Sequence, residues 1–323
     1  MESPAPLWTG IPCTNKASAT KVIRSHDLQY AMLITDIYSF KLMLLNLTNG
    51  EFKNLTLPDI NFQSIEVNGA FSPDNRYFIY SVNLSDNIYS GLYLLDLAKS
   101  TNSILFKSPC ATYSQLRYSG GGGSTICADI GLPQWIDDST VVFSGYSGDM
   151  PETVESGVAV DPNRTFIMDV EGNIHQEFSP ALYIGKVSGP TLLFYYYGKS
   201  EEGYKWLDTA DLKQGVIKPH LLDVNGQFRA GQIGDRGYLE LPDISPDGQL
   251  VIQQIDGKLH LIGLRSGSDT EIRSARAFKC TFGILWSPDQ KNIKCQDVII
   301  SLEGFADQKI LDTTEYSLFA WLP

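Results

Sequence analysis

A short motif that recurs along the chain constrains its fold more than any other feature of the sequence. Three clear copies contain Ser-Pro-Asp, each followed by an apolar segment, and they lie at Phe71–Asp74, Ile244–Asp247 and Trp286–Asp289. Proline presets φ for a turn, the aspartate side chain caps the turn, and a following Gly or Asn tolerates a left-handed backbone. Each copy therefore predicts a strand, a tight turn and a second strand.

Weaker copies extend this repeat. Trp135–Asp138 is a degenerate fourth copy, and Asp27 is the aspartate of a weaker fifth. The interval from Asp138 to Asp247 is long enough for two units, so a sixth unit fits inside it. Its predicted strands and turn are Ala181–Val187, Gly189-Pro190 and Thr191–Tyr197.

A second hairpin follows most copies of the motif. Its polar turns lie at Thr48–Gly50, Lys99–Asn102, Glu171–Asn173 and Ser266–Gly267. Two hairpins per unit make a four-stranded antiparallel sheet, and such sheets arranged radially leave few exposed edges. We predict an all-β chain that folds as a six-bladed β-propeller with four-stranded antiparallel blades, with seven blades as the alternative.

The length of the chain fits one such ring. All-β domains commonly reach the 323 residues present here. We expect residues 1–323 to form a single propeller domain whose ring is closed by the N- and C-terminal segments, because Phe319–Pro323 echoes the strand that precedes the motif at Trp286.

The Trp/Phe/Ile-Ser-Pro-Asp turn and its second hairpin resemble the repeat of the TolB-type six-bladed propeller family over nearly the whole chain. That repeat also occurs in translocation proteins, peptidase propellers, lyases and surface lipoproteins. The resemblance implies an extracytoplasmic protein that binds other proteins through one propeller face. TolB has an extra N-terminal α/β domain for which this chain has no room, so we expect a propeller without that domain.

Charge and hydropathy narrow the range of partners. The chain has 25 Lys and Arg against 37 Asp and Glu, a net charge of −12, which opposes binding to phosphate backbones and anionic bilayers. No apolar run reaches the roughly 18 residues of a membrane span. We therefore expect no nucleic-acid partner and no transmembrane segment.

The five cysteines suggest disulfide bonds. Cys110 and Cys127 bracket a glycine-rich loop, and a disulfide that closes such a loop stabilises by about 3 kcal/mol on a chain-entropy model. Cys280 and Cys295 are a second candidate pair, and Cys13 competes for either of these two. The alternative is five buried thiols in a cytosolic protein.

Oxidised cysteines favour an extracytoplasmic location, which means a secreted, periplasmic or cell-surface protein. The N-terminus, Met1–Pro6, lacks the basic and then apolar pattern of a signal peptide. Either no signal peptide existed or the chain is a processed form with a start methionine.

Loop lengths predict one working face. In such blades the Ser-Pro-Asp turns and the second hairpin turns share one side, which we call the turn face, and all other connections share the opposite side, the long-loop face. Four segments of the long-loop face are long: 108–130, 144–164, 198–205 and 223–239. Long loops on a rigid frame commonly bind ligands, although insertions that bind nothing are the alternative. The candidate partner-binding residues on this face are Tyr113, Arg117, Tyr118, Tyr146, Asp149, Glu152, Tyr204 and Arg236.

Catalytic motifs are weak in this sequence. The string nearest to a Gly-x-Ser-x-Gly elbow, Gly145–Asp149, fails at its last position, and the four histidines lack zinc-ligand spacing. We predict a non-enzymatic binding propeller without cofactor or metal that recognises a protein or peptide partner, for example within a surface or envelope assembly. The alternative is a carbohydrate-active or lactone-hydrolysing enzyme that uses channel-mouth carboxylates or a divalent metal.

Overall fold

The regular secondary structure in the described residues is almost entirely β-strand, as a computed structural model shows. The structure describes residues 19–25, 29–35, 41–55, 65–84, 90–113, 125–150, 153–154, 160–196, 205–222, 243–255, 258–273, 284–287, 289–295 and 298–309. Within these ranges one short helix, α1 (Thr209–Lys213), interrupts the strands. The predicted all-β class is confirmed.

Six four-stranded sheets follow one another along the described chain. The first three contain β1 (Ala19–Arg24), β2 (Tyr30–Thr35), β3 (Lys41–Asn46) and β4 (Phe52–Leu55); β5 (Ile65–Phe71), β6 (Tyr77–Leu84), β7 (Gly91–Asp96) and β8 (Thr101–Lys107); and β11 (Gln134–Trp135), β12 (Thr140–Gly145), β14 (Arg164–Asp169) and β15 (Ile174–Phe178). Strands β9 (Cys110–Tyr113), β10 (Thr125–Cys127) and β13 (Thr153–Val154) form a separate three-stranded sheet, the accessory sheet.

The remaining three sheets have the same order. They contain β16 (Leu182–Ser188), β17 (Thr191–Tyr196), β18 (Lys205–Asp208) and β19 (His220–Leu221); β20 (Asp243–Ile244), β21 (Leu250–Ile255), β22 (Lys258–Gly263) and β23 (Asp269–Glu271); and β24 (Leu285–Trp286), β25 (Asn292–Cys295), β26 (Val298–Ser301) and β27 (Asp307–Lys309). Strand order follows chain order in all six, and every pairing is antiparallel. The sixth unit expected between Asp138 and Asp247 is the fourth sheet.

Alternating side chains pack each sheet against both of its neighbours. Val141 belongs to a hydrophobic cluster with the second sheet, whereas the next residue, Val142, belongs to a cluster with the fourth. Comparable clusters join the first sheet to the second, the fourth to the fifth and the fifth to the sixth. Outer strands face solvent, so Ile174 of β15 is 48% exposed. This sheet-on-sheet burial is what period-2 alternation in strands produces.

Tryptophan and tyrosine side chains fill the spaces between sheets. Trp135 donates a hydrogen bond from Nε1 to the carbonyl of Ala70 in the second sheet, at 2.9 Å. Tyr195 packs against the cluster between the fourth and fifth sheets and stacks on Tyr183 with ring centroids 4.4 Å apart. Tyr197 and Trp321 lie outside the described residues.

The Ser-Pro-Asp turns owe their shape to one repeated hydrogen-bond network. In the fifth sheet, Ser245 Oγ donates to Asp247 Oδ1 at 2.6 Å and accepts from the backbone N–H of Leu250 at 2.9 Å. The same bonds recur from Ser72 and Ser287, and Ser25 accepts the equivalent N–H from Tyr30 at 2.9 Å. The residue after the aspartate has positive φ: 58° at Asn75, 70° at Gly248 and 60° at Gln290. The motif therefore builds the turn.

The radial arrangement of the six sheets is seen in the lining of one cavity. The first strand of every sheet, which we call its inner strand, contributes to that lining: β1, β5, β11, β16, β20 and β24. We retain six blades and a single closed ring as predictions, because the segments expected to close the ring, including Phe319–Pro323, lie outside the described residues.

Candidate functional site

The two longest insertions of the long-loop face meet in the accessory sheet. Strands β9 and β10 come from the 108–130 insertion and form a hairpin, and β13 of the 144–164 insertion joins β9 in parallel, with Thr153 opposite Thr112 and Val154 opposite Tyr113. A further bond connects the two segments, from Asp129 N to Val160 O at 2.9 Å. Consecutive strands of each four-stranded sheet run in opposite directions, so successive connections lie on opposite faces of the propeller. These two insertions therefore lie on the face opposite the Ser-Pro-Asp turns.

A disulfide closes the hairpin of this sheet, and an asparagine joins the two ends of the 144–164 insertion. Cys110 and Cys127 are cross-strand partners in β9 and β10, and their sulfur atoms are bonded at 2.01 Å. Asn163 accepts from the N–H of Ser147 at 2.8 Å and donates to the carbonyl of the same residue at 2.9 Å. The predicted Cys110–Cys127 bond is confirmed. The Cys280–Cys295 pair stays a prediction, because Cys280 and Cys13 lie outside the described residues.

A cluster of phenylalanine rings lies beside this region, between the second and third sheets. Phe106, Phe143 and Phe166 pack with ring centroids 5.1 to 5.2 Å apart. A side chain at Gly145, where β12 ends and the 144–164 insertion begins, would come within 3.2 Å of Phe166. The 144–164 insertion therefore starts from a closely packed base.

Three of the eight predicted partner-binding residues fall within the described residues. Tyr113 ends β9 in the accessory sheet. Tyr146 is half-buried and Asp149 is exposed, and both lie in the connection that leaves β12. The structure thus brings two of the four predicted long loops together. The other five, Arg117, Tyr118, Glu152, Tyr204 and Arg236, lie outside the described residues and stay predictions.

The inner strands enclose a cavity at the turn face. It has a volume of about 780 Å³ and reaches the turns through Pro73, Asp138, Gly189 and Pro246. Charged residues from three different inner strands or their turns line it: Arg24, Asp137, Asp138 and Lys186. Its volume lies within the range of roughly 300–1,000 Å³ that is usual for ligand pockets.

Two of these charges have partners in neighbouring sheets. Lys186 Nζ lies 2.9 Å from Asp243 Oδ1 of the fifth sheet, and Asp137 forms an ion pair with Lys213 of α1. Partial burial opposes ionisation of Asp137, but hydrogen bonds from Lys213 and from the N–H of Ser139 outweigh it and lower the pKa of this carboxyl to about 2. Asp137 is therefore an anion at neutral pH.

This ion pair predicts a pH-dependent stability. A lowered pKa stabilises the folded state above the ordinary pKa of 3.8, and this contribution is lost as the pH falls through about 2. Asp137→Asn should lower the free energy of unfolding near pH 6 by less than about 1 kcal/mol, because the pair is partly exposed, and the difference should shrink below about pH 4. Urea unfolding at several pH values measures it. Asp138→Asn, at an exposed neighbour, is the control, and an equal or pH-independent effect of both variants would contradict the assignment.

The three histidines that the structure describes contact other side chains. His260 Nδ1 lies 2.8 Å from Asp269 Oδ1, His175 Nε2 lies 3.0 Å from Asp169 Oδ2, and His220 stacks on Trp206. Across the ranges that the structure describes, no three His, Cys, Asp or Glu side chains group as metal ligands. No helix in these ranges is long and apolar enough to cross a membrane.

Comparison with known proteins bears on the fold alone. No family model and no curated protein matches the chain. A chain of the mitotic checkpoint complex is similar over 98% of this chain and 86% of that one, with a TM-score of 0.53 and 14% identity. Kuenenia stuttgartiensis hydrazine synthase is similar over 91% and 80%, with a TM-score of 0.52 and 12% identity. TolB from Acinetobacter baumannii gives a TM-score of 0.45 at 12% identity, over 88% of this chain and 60% of TolB.

The fold is a β-propeller. Six successive four-stranded antiparallel sheets among the described residues, whose first strands share one cavity, establish it together with the likeness to the chain of the mitotic checkpoint complex. The likeness to TolB is distant and does not place the chain in the TolB family.

The sequence did not single out the cavity residues Arg24 and Trp286 as candidate site residues. Neither belongs to a catalytic or ligand-binding motif, although Trp286 begins one copy of the turn motif. Alignment of the turns would have found Arg24. It precedes the turn serine Ser25, whereas the residue before the serine in the other copies is apolar: Phe71, Ile244 or Trp286.

Proposed function

We propose that this propeller is a non-catalytic, extracytoplasmic binding module that recognises a protein or peptide through the long-loop face. The observation that carries the proposal is the accessory sheet, which joins two long insertions and is closed by the Cys110–Cys127 disulfide. Mobile insertions without a ligand do not need to be fixed to each other in this way. The disulfide also supports an oxidising compartment.

The residues on this surface suit a protein partner. Tyr146 supplies contact area at a small cost in conformational entropy, and Asp149 adds a charge three residues further along the same connection. The enzyme alternative places its chemistry at the channel mouth, where Asp137 has a pKa of about 2. A general acid works best with a pKa near the working pH, so Asp137 is poorly suited to that role.

Site-specific crosslinking tests the proposal. A photoreactive phenylalanine at position 146 should crosslink to a partner in the native extract at least about ten-fold more than the same group at position 52, since large hot-spot effects concentrate in the interface. Phe52 is 64% exposed on the outer strand of the first sheet and serves as the matched control. Asp149→Lys should weaken the crosslink, whereas Glu303→Lys at the turn face should not. Equal crosslinking from both positions, or none from position 146, would contradict the proposal.

A further inference from the structure

The six inner strands place one residue each at the same level of the cavity. Each of these residues lines the cavity and pairs with the second strand of its sheet: Arg24, Phe71, Trp135, Val187, Ile244 and Trp286. Five of them form the strand pair nearest the turn, and Val187 forms the pair next to that one, since Ser188 and Thr191 pair between it and the turn. Five of the six are apolar or aromatic and pack against a neighbouring sheet. The first sheet departs from this rule, because it has an arginine at that level.

Arg24 carries a charge without an acidic partner among the residues that the structure describes. Its side chain is half-buried, and burial lowers the pKa of the guanidinium. The other cation of the cavity, Lys186, is neutralised by Asp243. A half-buried charge that lacks a counter-ion costs desolvation energy, so an anion in the cavity would be favourable next to Arg24.

Trp286 also lines this cavity and has an unused donor. It is only 8% exposed, and its Nε1–H has no hydrogen-bond acceptor within the described part of the chain. Trp135 has the same register in the third sheet and does have an acceptor, the Ala70 carbonyl. A buried N–H without an acceptor is costly and therefore marks a position where a ligand oxygen would be stabilising.

Apolar side chains complete the cavity. Ile23, Val187 and Ile284 line it and are half-buried, so they offer an apolar wall next to the two donors. Asp138 also lines the cavity and has no ion-pair partner among the described residues. It is exposed at the rim, so solvent and salt screen its negative charge. The lining thus combines a cation, an N–H donor and aliphatic surface.

We propose that the cavity binds a ligand with a carboxylate on an apolar body, and that the Arg24 guanidinium and the Trp286 indole N–H hold the carboxylate. Guanidinium and carboxylate form strong charge-assisted hydrogen bonds. The apolar body packs on Ile23, Val187 and Ile284. This site is on the turn face and is independent of the long-loop face, so either proposal can fail alone.

Nuclear magnetic resonance of the indole groups tests the site. The chain has five tryptophans, and Trp286→Phe assigns the Trp286 signal in protein labelled with ¹⁵N at tryptophan. Two probes distinguish the source of the carboxylate: hexanoate represents a small acid, and N-acetyl-Leu-Leu represents a peptide C-terminus. The amide of each is its uncharged control. We expect at least one acid to shift the Trp286 indole signal and to bind about ten-fold more tightly than its amide, as for loss of one charge-assisted bond.

Variants separate binding from a change in folding. Arg24→Gln should abolish the preference for the acid, Arg24→Lys should keep most of it, and Lys53→Gln, which removes a cation from the outer strand of the same sheet, should leave it unchanged. Thermal unfolding of each variant shows that the sheet is intact. Equal affinity for acid and amide, a preference that survives Arg24→Gln, or no binding of any probe would overturn the proposal.

Discussion

Replacing Gly248 with alanine is expected to lower the free energy of unfolding by about 2–4 kcal/mol, because strain at positive φ adds to overpacking. Gly248 has φ of 70°, and a Cβ there would lie 2.3 Å from the carbonyl oxygen of Ser188 in the fourth sheet. The atom that the Cβ would meet belongs to the backbone, so rotation of a side chain cannot relieve the clash. Thr191 Oγ1 also donates to the Gly248 carbonyl at 2.8 Å. The substitution would push the fourth and fifth sheets apart at the cavity.

Gly267→Ala is the matched control for this prediction. Gly267 has a similar φ of 66°, but a Cβ there would meet no atom within 4 Å. Its substitution should cost only about 1 kcal/mol, the strain of a left-handed alanine. Urea unfolding of both variants measures the difference. If the two substitutions cost the same, the close approach of Gly248 to Ser188 does not contribute to stability.

The fold could be predicted from the sequence because its repeated turn depends on hydrogen bonds between residues that are close in sequence. Ser72, Ser245 and Ser287 each bond to an aspartate two residues away and to an N–H five residues away. Such short-range bonds depend on few residues, so the motif survives in the sequence wherever the turn does. The fourth sheet lacks the motif, and its prediction rested on the spacing of the other copies and on the turn at Gly189-Pro190.

The accessory sheet could not be predicted in the same way. Its strand β13 has two residues and pairs in parallel with β9, which lies about forty residues earlier in the chain. Neither segment has an alternation of apolar and polar residues long enough to predict a strand. The disulfide was the one local sign that this region is ordered, because Cys110 and Cys127 are close in sequence.

The cavity could not be predicted from the sequence for a related reason. Arg24 and Trp286 lie near opposite ends of the described chain, and they share a cavity because successive sheets bring the inner strands together. Local propensity carries no information about such a juxtaposition. What the sequence does contain is the register of the repeat, and register is enough to show that an arginine occupies a position that is otherwise apolar.

Removing the Cys110–Cys127 disulfide is expected to loosen the accessory sheet without unfolding the propeller. The bond closes a loop with a sequence separation of 17, and chain entropy gives about 3 kcal/mol for a loop of this size. In the Cys110→Ala/Cys127→Ala variant, the amides of β9 and β10 should exchange about a hundred-fold faster with solvent. The amides of β21 and β22 in the fifth sheet should keep their rates, because they lie in a separate packed sheet.

Hydrogen exchange measured by mass spectrometry checks this prediction, and reduction of the wild-type protein with dithiothreitol should reproduce the effect of the variant. The same variant should weaken the crosslink from position 146, since a loosened platform must be ordered again when the partner binds. Unchanged exchange in β9 and β10 would mean that the bonds from Asn163 to Ser147 and from Asp129 to Val160 hold the insertions by themselves. Faster exchange with an unchanged crosslink would instead show that the order of the accessory sheet does not contribute to binding of the partner. The binding surface would then lie elsewhere on the propeller.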